Sequence, residues 1–455
     1  MKLGVRAATL PCPGTHAQTS CSMPCLARCS LWTLSVIATA VAPASAALAP
    51  LTRGTALRET AAAVSAGLDI SQCAGALLAA TPPALHYTAA VLRANDAARR
   101  GDAGGWVDCI NAMLVHWNTS GVRLLSRAAS LPGGGSGGSR EHDGLGISPS
   151  PAIDFISDLA PVVPPPPIQQ PPLISVIMVA HNAHKTVAAA CASILAQTWR
   201  GLELVIVDDA STDGTWSAVT AIRGTDPARV RLLRNRRRVG PYVSRNRALR
   251  DAVSGDYVTC HDADDWAHPD RLAVQVGPLV ASRGMLRASL AYMLRVQPDG
   301  RLSTEALSWF CPDGATKVAM VSAMYERRLL VDELGYWDGV WYGADAEMIG
   351  RAQALLGKAS FAEVRAIAML CRDAAAGLGK AGYNDAQTVA DDRWTNSTRH
   401  RYRDAFSAWH ARVATSRNAY LPFHHHKARL FMVPDGMAVD ERAIRAIGVR
   451  AGLRE

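Results

Sequence analysis

Asp262, Asp264 and Asp265 crowd together directly after the β-rich run Tyr257–Cys260. Carboxylates gathered at the end of a buried strand repel one another, so the cluster is costly unless a cation shares it. A divalent ion carrying a phosphorylated ligand suits such a set. Mg2+ and Mn2+ prefer oxygen donors and keep part of their shell for water and substrate phosphate. For an isolated D-x-D-D a polar turn with helix-capping aspartates is the plainer reading, so the rest of the chain must decide. A second acidic pair, Asp208-Asp209, closes the apolar run Leu202–Val207. A third group, Asp345, Glu347 and Arg351, opens a helical pattern, where Asp345 could cap the helix.

The elements that would position these groups begin at Leu173. Leu173–Ala180 is a near-continuous apolar run, as expected for a parallel strand covered on both faces. The pattern predicts helices near Val187–Gln197, Trp216–Arg223 and Pro241–Ala252, with strands Leu202–Val207, Val230–Leu233 and Tyr257–Cys260. Such alternation predicts an α/β fold with an open, doubly wound, mostly parallel sheet and its ligands at the carboxyl ends of the strands. Both acidic turns fall at that edge. Neither strand is followed by G-x-G-x-x-G or G-x-x-x-x-G-K-[ST], so the usual dinucleotide and NTPase phosphate loops are absent. Farther on, Met285–Val296 and Val318–Met324 are apolar runs, and Glu326–Leu334 reads as a helix before Gly335.

The flanks divide by composition. Residues 1–54 form a leader that reads as disordered or as a signal or anchor, with the apolar stretch Leu31–Leu48. Residues 55–127 read as a helical accessory domain, its stripe being Trp106, Ile110, Met113, Leu114 and Trp117. Residues 128–172 form a linker of glycines and prolines that lets the halves move relative to each other. Residues 173–370 hold the acidic clusters, and 371–455 read as a helical extension with an extended tail over Tyr420–Pro434. His424-His425-His426 reads as a surface or acceptor-binding cluster, because three consecutive imidazoles do not converge on one ion. Ten cysteines without a C-x-x-C pair argue against zinc, and the six scattered singly from Cys73 to Cys371 read as reduced core thiols. The net charge of +9 suits an anionic ligand or an anionic membrane surface. Nucleic acid is disfavoured, because the basic residues are dispersed and the strand ends are acidic.

Four segments in order resemble a family 2 glycosyltransferase with the GT-A fold. They are Ser175–Met178 through Asn182 with Ser193, Gln197 and Thr198; Glu203 through Thr215; Arg245-Asn246 before Asp256-Tyr257; and Asp262–Asp265 with Pro269 and Leu272. The likeness covers roughly residues 173–360, under half the chain. It implies that Ala180, His181, Asp209, Arg245 and Asp262 bind a nucleotide-diphosphate sugar, with Asp209 receiving the base. It implies that Asp264 and Asp262 hold Mn2+ or Mg2+ against the diphosphate, and that Asp345 is the general base. His181 stands where the family often has Tyr, and Ala344 where it has Glu. The implied activity is inverting transfer of one or a few sugars to a glycan or lipid-linked acceptor, in bacterial surface polysaccharide assembly. The implied location is the cytoplasm, with peripheral association at the inner membrane face. The alternative is a catalytically inactive GT-A domain that binds glycans or nucleotide-sugars.

Overall fold

The structure is a computed structural model that describes residues 86–116, 122–124, 159–161, 171–303, 311, 315–373, 398–423 and 429–448. The leader, most of the linker and His424–His426 lie outside the described residues.

Two helices come first, α1 (His86–Arg100) and α2 (Ala103–His116). Gly101 ends α1 in the left-handed region at φ 69°. Asp102 then opens α2, its Oδ1 accepting from the Gly105 amide at 2.9 Å. A short antiparallel ribbon follows, β1 (Val122–Leu124) with β2 (Leu159–Pro161). The apolar stripe of the helical pair does not close on itself. Trp106, Ile110, Met113 and Leu114 share a core with Trp266, Leu294, Val296, Ile367 and Leu370 of the main domain. The Trp106 indole donates to the Gly300 carbonyl at 2.8 Å, and the Leu302 amide donates to Asn95 Oδ1 at 2.7 Å. Within the described residues, then, this hairpin is docked on the sheet.

The main sheet contains β3 (Ile174–Ala180), β4 (Leu202–Asp208), β5 (Val230–Arg234), β6 (Tyr257–Asp262), β7 (Trp266–Ala267), β8 (Ala288–Val296), β9 (Thr316–Val318), β10 (Met324–Glu326) and β11 (Phe361–Arg372). Their spatial order is β5-β4-β3-β6-β10-β8-β11-β7, with β9 beside β8. The β5-β4-β3-β6 half is parallel, as is the β8–β11 pair, whereas β10 runs antiparallel to both its neighbours. Strand alternation sets the layers. On β3 and β4, Ile177, Val205 and Val207 face one core, and Ile174, Val176, Met178, Leu204 and Ile206 face the other. The first face is covered by α5 (Gly240–Asp251), α7 (Ala344–Leu356) and α8 (Thr398–Ser416). The second is covered by α3 (Val187–Leu195), α4 (Thr215–Thr225) and α6 (Arg271–Ala281). A last helix, α9 (Glu441–Gly448), packs Ile444 against Val239 and Val243. No helix among the described residues is long and apolar enough to cross a membrane.

The helix expected over Glu326–Leu334 is present, chiefly as a π turn over Leu329–Leu334, and only its first residue belongs to strand β10. Strand β10 fills the gap between β6 and β8, a long-range pairing that local periodicity does not report. One expectation changes. The tail expected over Tyr420–Pro434 is tied down. Leu421 bridges Gly335, and Phe431 stacks on Trp409 with ring centroids 5.2 Å apart.

Candidate active site

Register puts the ends of three strands in one row. Ala180 pairs with Asp208, and Val179 pairs with Asp262. The loops beyond them interlock. His181 Nδ1 lies 2.8 Å from the Asp209 carbonyl oxygen, and the Asp209 amide donates to the Ala180 carbonyl at 2.8 Å. The Asn182 amide donates to Ser211 Oγ, while Asn182 Oδ1 accepts from the Thr212 amide. Asp213 fastens the far end by accepting from the Thr215 and His184 amides. Its hydrogen bond from the Thr215 hydroxyl holds its carboxyl below the usual range. Asn182 and Ala210 both adopt positive φ, 50° and 57°, so the edge is shaped by two strained non-glycine residues.

Asp209 is buried, and both its oxygens are engaged. Oδ1 accepts from Asn235 Nδ2 at 2.8 Å and the Val239 amide at 3.0 Å; Oδ2 accepts from the Gly240 amide at 2.8 Å. The carboxylate thereby fixes the loop that carries Arg236, Arg237 and Arg238. Those three are exposed, and Arg238 lies over the Trp341 ring at 5.5 Å.

Arg245, on α5, joins the two ends of the site. Its Nη1 donates to Asp345 Oδ1 at 2.6 Å and its Nη2 to Asp262 Oδ1 at 3.0 Å. One turn earlier on the same helix, the Tyr242 hydroxyl donates to Asp345 Oδ2 at 3.1 Å. Asp345 lies in the first turn of α7 behind Gly343, yet no side chain caps that helix. Its carboxylate turns toward Arg245 and Tyr242 instead. Burial lifts the Asp345 pKa, and the Arg245 charge opposes that without cancelling it. Burial likewise works against the Arg245 charge, but Asp345 and the other nearby anions leave its pKa above the ordinary value.

Asp262 is 44% exposed at the side chain, and Asp264 is also open to solvent. Desolvation by the surrounding protein and the neighbouring Asp262 push Asp264 up to about 6. Asp265 points the other way. It is buried, and its Oδ1 accepts from the Arg372 amide at 2.9 Å. Beneath the cluster lies a buried cation. Arg271 donates to Thr259 Oγ1, the Cys260 carbonyl and Gln275 Oε1, and its Nη1 lies 2.9 Å from His261 Nδ1. Burial lowers Arg271 to about 10, which leaves it charged at neutral pH under three carboxylates. Among the described residues no three His, Cys, Asp or Glu side chains converge to hold an ion unaided. Two solvent-facing carboxylates, one of which raises the proton affinity of the other, Asp264, still fit a hard dication. Such an ion commonly takes one or two protein carboxylates, with water and substrate phosphate completing the shell.

The rest of the Asp345 motif faces inward. Glu347 and Arg351 are fully buried and pair at 2.9 Å, with His410 Nε2 3.1 Å from Glu347. Arg351 also donates to the Leu334 and Tyr336 carbonyls. This network holds α7, the Gly335 loop and α8 together. Ala344 is completely buried, so the position is filled by packing. The structure thus brings together Ala180, His181, Arg245, Asp262, Asp264 and Asp345 at one edge, with Asp209 just behind it. Tyr242 and Arg271 were not singled out in the sequence. Tyr242 sits three positions before Arg245 on one helix face, a signal that a core tyrosine would give equally.

Residues 175–285 match the model of Glycosyl transferase family 2. The chain carries a family 2 glycosyltransferase domain. The succinoglycan biosynthesis protein ExoO of Rhizobium meliloti is 40% identical over 108 residues, 24% of this chain and 30% of that protein. An Escherichia coli enzyme is 34% identical over 104 residues, 23% of this chain and 40% of its own. It is the UDP-Glc:alpha-D-GlcNAc-diphosphoundecaprenol beta-1,3-glucosyltransferase WfaP. The chain therefore spans less than half the length of these two relatives. Among solved structures, S. aureus TarS in complex with UDP-GlcNAc is 20% identical with a TM-score of 0.38, covering 46% of this chain and 61% of that one. The family match ends before β8, so Asp345 and everything on α7 lie beyond it.

Proposed function

We propose that this protein is an inverting, metal-dependent glycosyltransferase. It moves a sugar from a nucleotide-diphosphate donor to an acceptor hydroxyl during surface glycan or polysaccharide assembly. The observation that carries this reading is Arg245, one buried guanidinium spanning Asp262 on the donor side and Asp345 on the acceptor side. The family 2 domain and its polysaccharide-assembly relatives support the donor class.

In this reading the donor lies along the ends of β3, β4 and β6. Ala180 and His181 border the base, and Asp209 acts by fixing the loop from Asn235 to Gly240 beside it. Asp264 and Asp262 would hold Mn2+ or Mg2+, which when bound neutralises charge on the departing diphosphate. An acceptor hydroxyl is a poor nucleophile until a carboxylate takes its proton. Asp345 has the burial and raised pKa for that task, and Tyr242 and Arg245 fix its two oxygens. One base on the face opposite the leaving group gives a single displacement, hence inversion.

The test is a set of nucleotide-sugars screened by thermal shift with and without Mn2+, followed by turnover with the one that binds. A true donor raises the melting temperature with Mn2+ present, because it binds only the native state. That stabilisation disappears in Asp264→Ala. If no nucleotide-sugar stabilises the protein, or if Asp264→Ala binds the donor as the parent does, the reading fails.

A further inference from the structure

The carboxyl end of α8 and the segment returning along it carry features that sugar transfer does not use. Leu430 (39% exposed) and Met432 (71%) flank Phe431, which is buried against Trp409. Fixing Phe431 inward turns both its neighbours out. Tyr420 (40%) is exposed in the same way between buried Ala419 and Leu421. These three are half of the six large apolar side chains left exposed among the described residues.

Cations border them. Arg412 Nη2 donates to the Leu430 carbonyl at 3.2 Å, which sets its guanidinium beside the apolar pair. Arg417 is exposed just past the last turn of α8, three residues before Tyr420. Neither forms an ion pair among the described residues. The surface is also joined to the candidate site. Arg429 Nη1 donates to Asp338 Oδ1 at 2.9 Å, and the Tyr402 hydroxyl donates to Asp338 Oδ2 at 3.0 Å. Asp338 belongs to the loop that leads into Asp345.

We propose that this surface seats the protein on an anionic lipid bilayer. Tyr420, Leu430 and Met432 enter the headgroup layer while Arg412 and Arg417 meet lipid phosphates. Exposed apolar groups alone would suit a protein partner equally well. Unpaired arginines beside them, on a chain of net charge +9, favour a negative surface. A second copy fits poorly, because a twofold contact through this patch would oppose like charges. The inference stands on this surface and not on the transfer reaction.

Sedimentation of the full-length chain with lipid vesicles tests it. Vesicles of phosphatidylcholine containing phosphatidylglycerol should carry the protein down, and pure phosphatidylcholine vesicles should not. Arg412→Gln and Arg417→Gln should each weaken binding roughly fivefold, the weight of one basic residue near such a membrane. Leu430→Ser combined with Met432→Ser should remove the binding that persists at raised salt. All four positions are exposed, so unchanged melting temperatures are expected. Met285→Ser, at an exposed apolar position elsewhere, should bind as the parent does. Asp345→Asn should also bind normally, which separates membrane binding from catalysis. Equal binding to neutral vesicles, indifference to all four substitutions, or self-association lost with the Leu430 and Met432 changes would overturn the proposal.

Discussion

Asp345 is held by a cation and a phenol, and this arrangement gives two kinetic expectations. Asp345→Asn keeps both hydrogen-bonding positions in shape but cannot take a proton, so kcat should fall about 10²- to 10⁴-fold while donor binding persists. Single-turnover kinetics alongside a donor thermal shift would check it. The second concerns pH. A base works only when ionised, and burial raises the Asp345 pKa. The acid limb of kcat/KM should therefore lie above the ordinary carboxylate range near about 4. The Tyr242 hydrogen bond favours the anion, so Tyr242→Phe should move that limb further up, read from kcat/KM across pH. Most of these groups were legible by type and spacing, since carboxylates at strand ends and an arginine upstream form a pattern. The internal use of Asp209 was not legible. It depends on a loop thirty residues away folding back, which no local pattern encodes.

At the level of elements, β3 to β6 were readable because each is a continuous apolar run between helices of clear period. Their ends differ from expectation by only a residue or two. The second half was less legible because β10 is placed by partners on both sides and not by its own sequence. Gly335 ends the π turn at φ 74°, and a Cβ there would meet the Leu421 carbonyl oxygen at 2.2 Å. Gly335→Ala should lower stability by at least about 2 kcal/mol, from backbone strain plus the clash. Denaturant unfolding would measure it. The docked hairpin offers a different test. Trp106 is fully buried and bonded to Gly300. Trp106→Ala should cost about 3–5 kcal/mol, and hydrogen exchange should show α1 and α2 losing protection first.

Across the whole molecule, two halves of the sheet meet over the acidic edge, and the proposed ion enters there with the donor. Chelation by EDTA should abolish turnover while leaving the melting temperature of the donor-free protein unchanged, since the two carboxylates alone make a weak site. Added Mn2+ should restore activity. The Gly335 loop and α7, which carries Asp345, are completed from beyond β11. Asp338 takes its hydrogen bonds from Tyr402 and Arg429, Glu347 is closed by His410, and the Tyr336 amide donates to the Leu421 carbonyl. An excised fragment stopping at the end of β11 would leave two buried acids and a row of peptide groups facing water. The smallest piece able to work is consequently much longer than the segment its relatives recognise, and any dissection of this protein has to keep the C-terminal wrap.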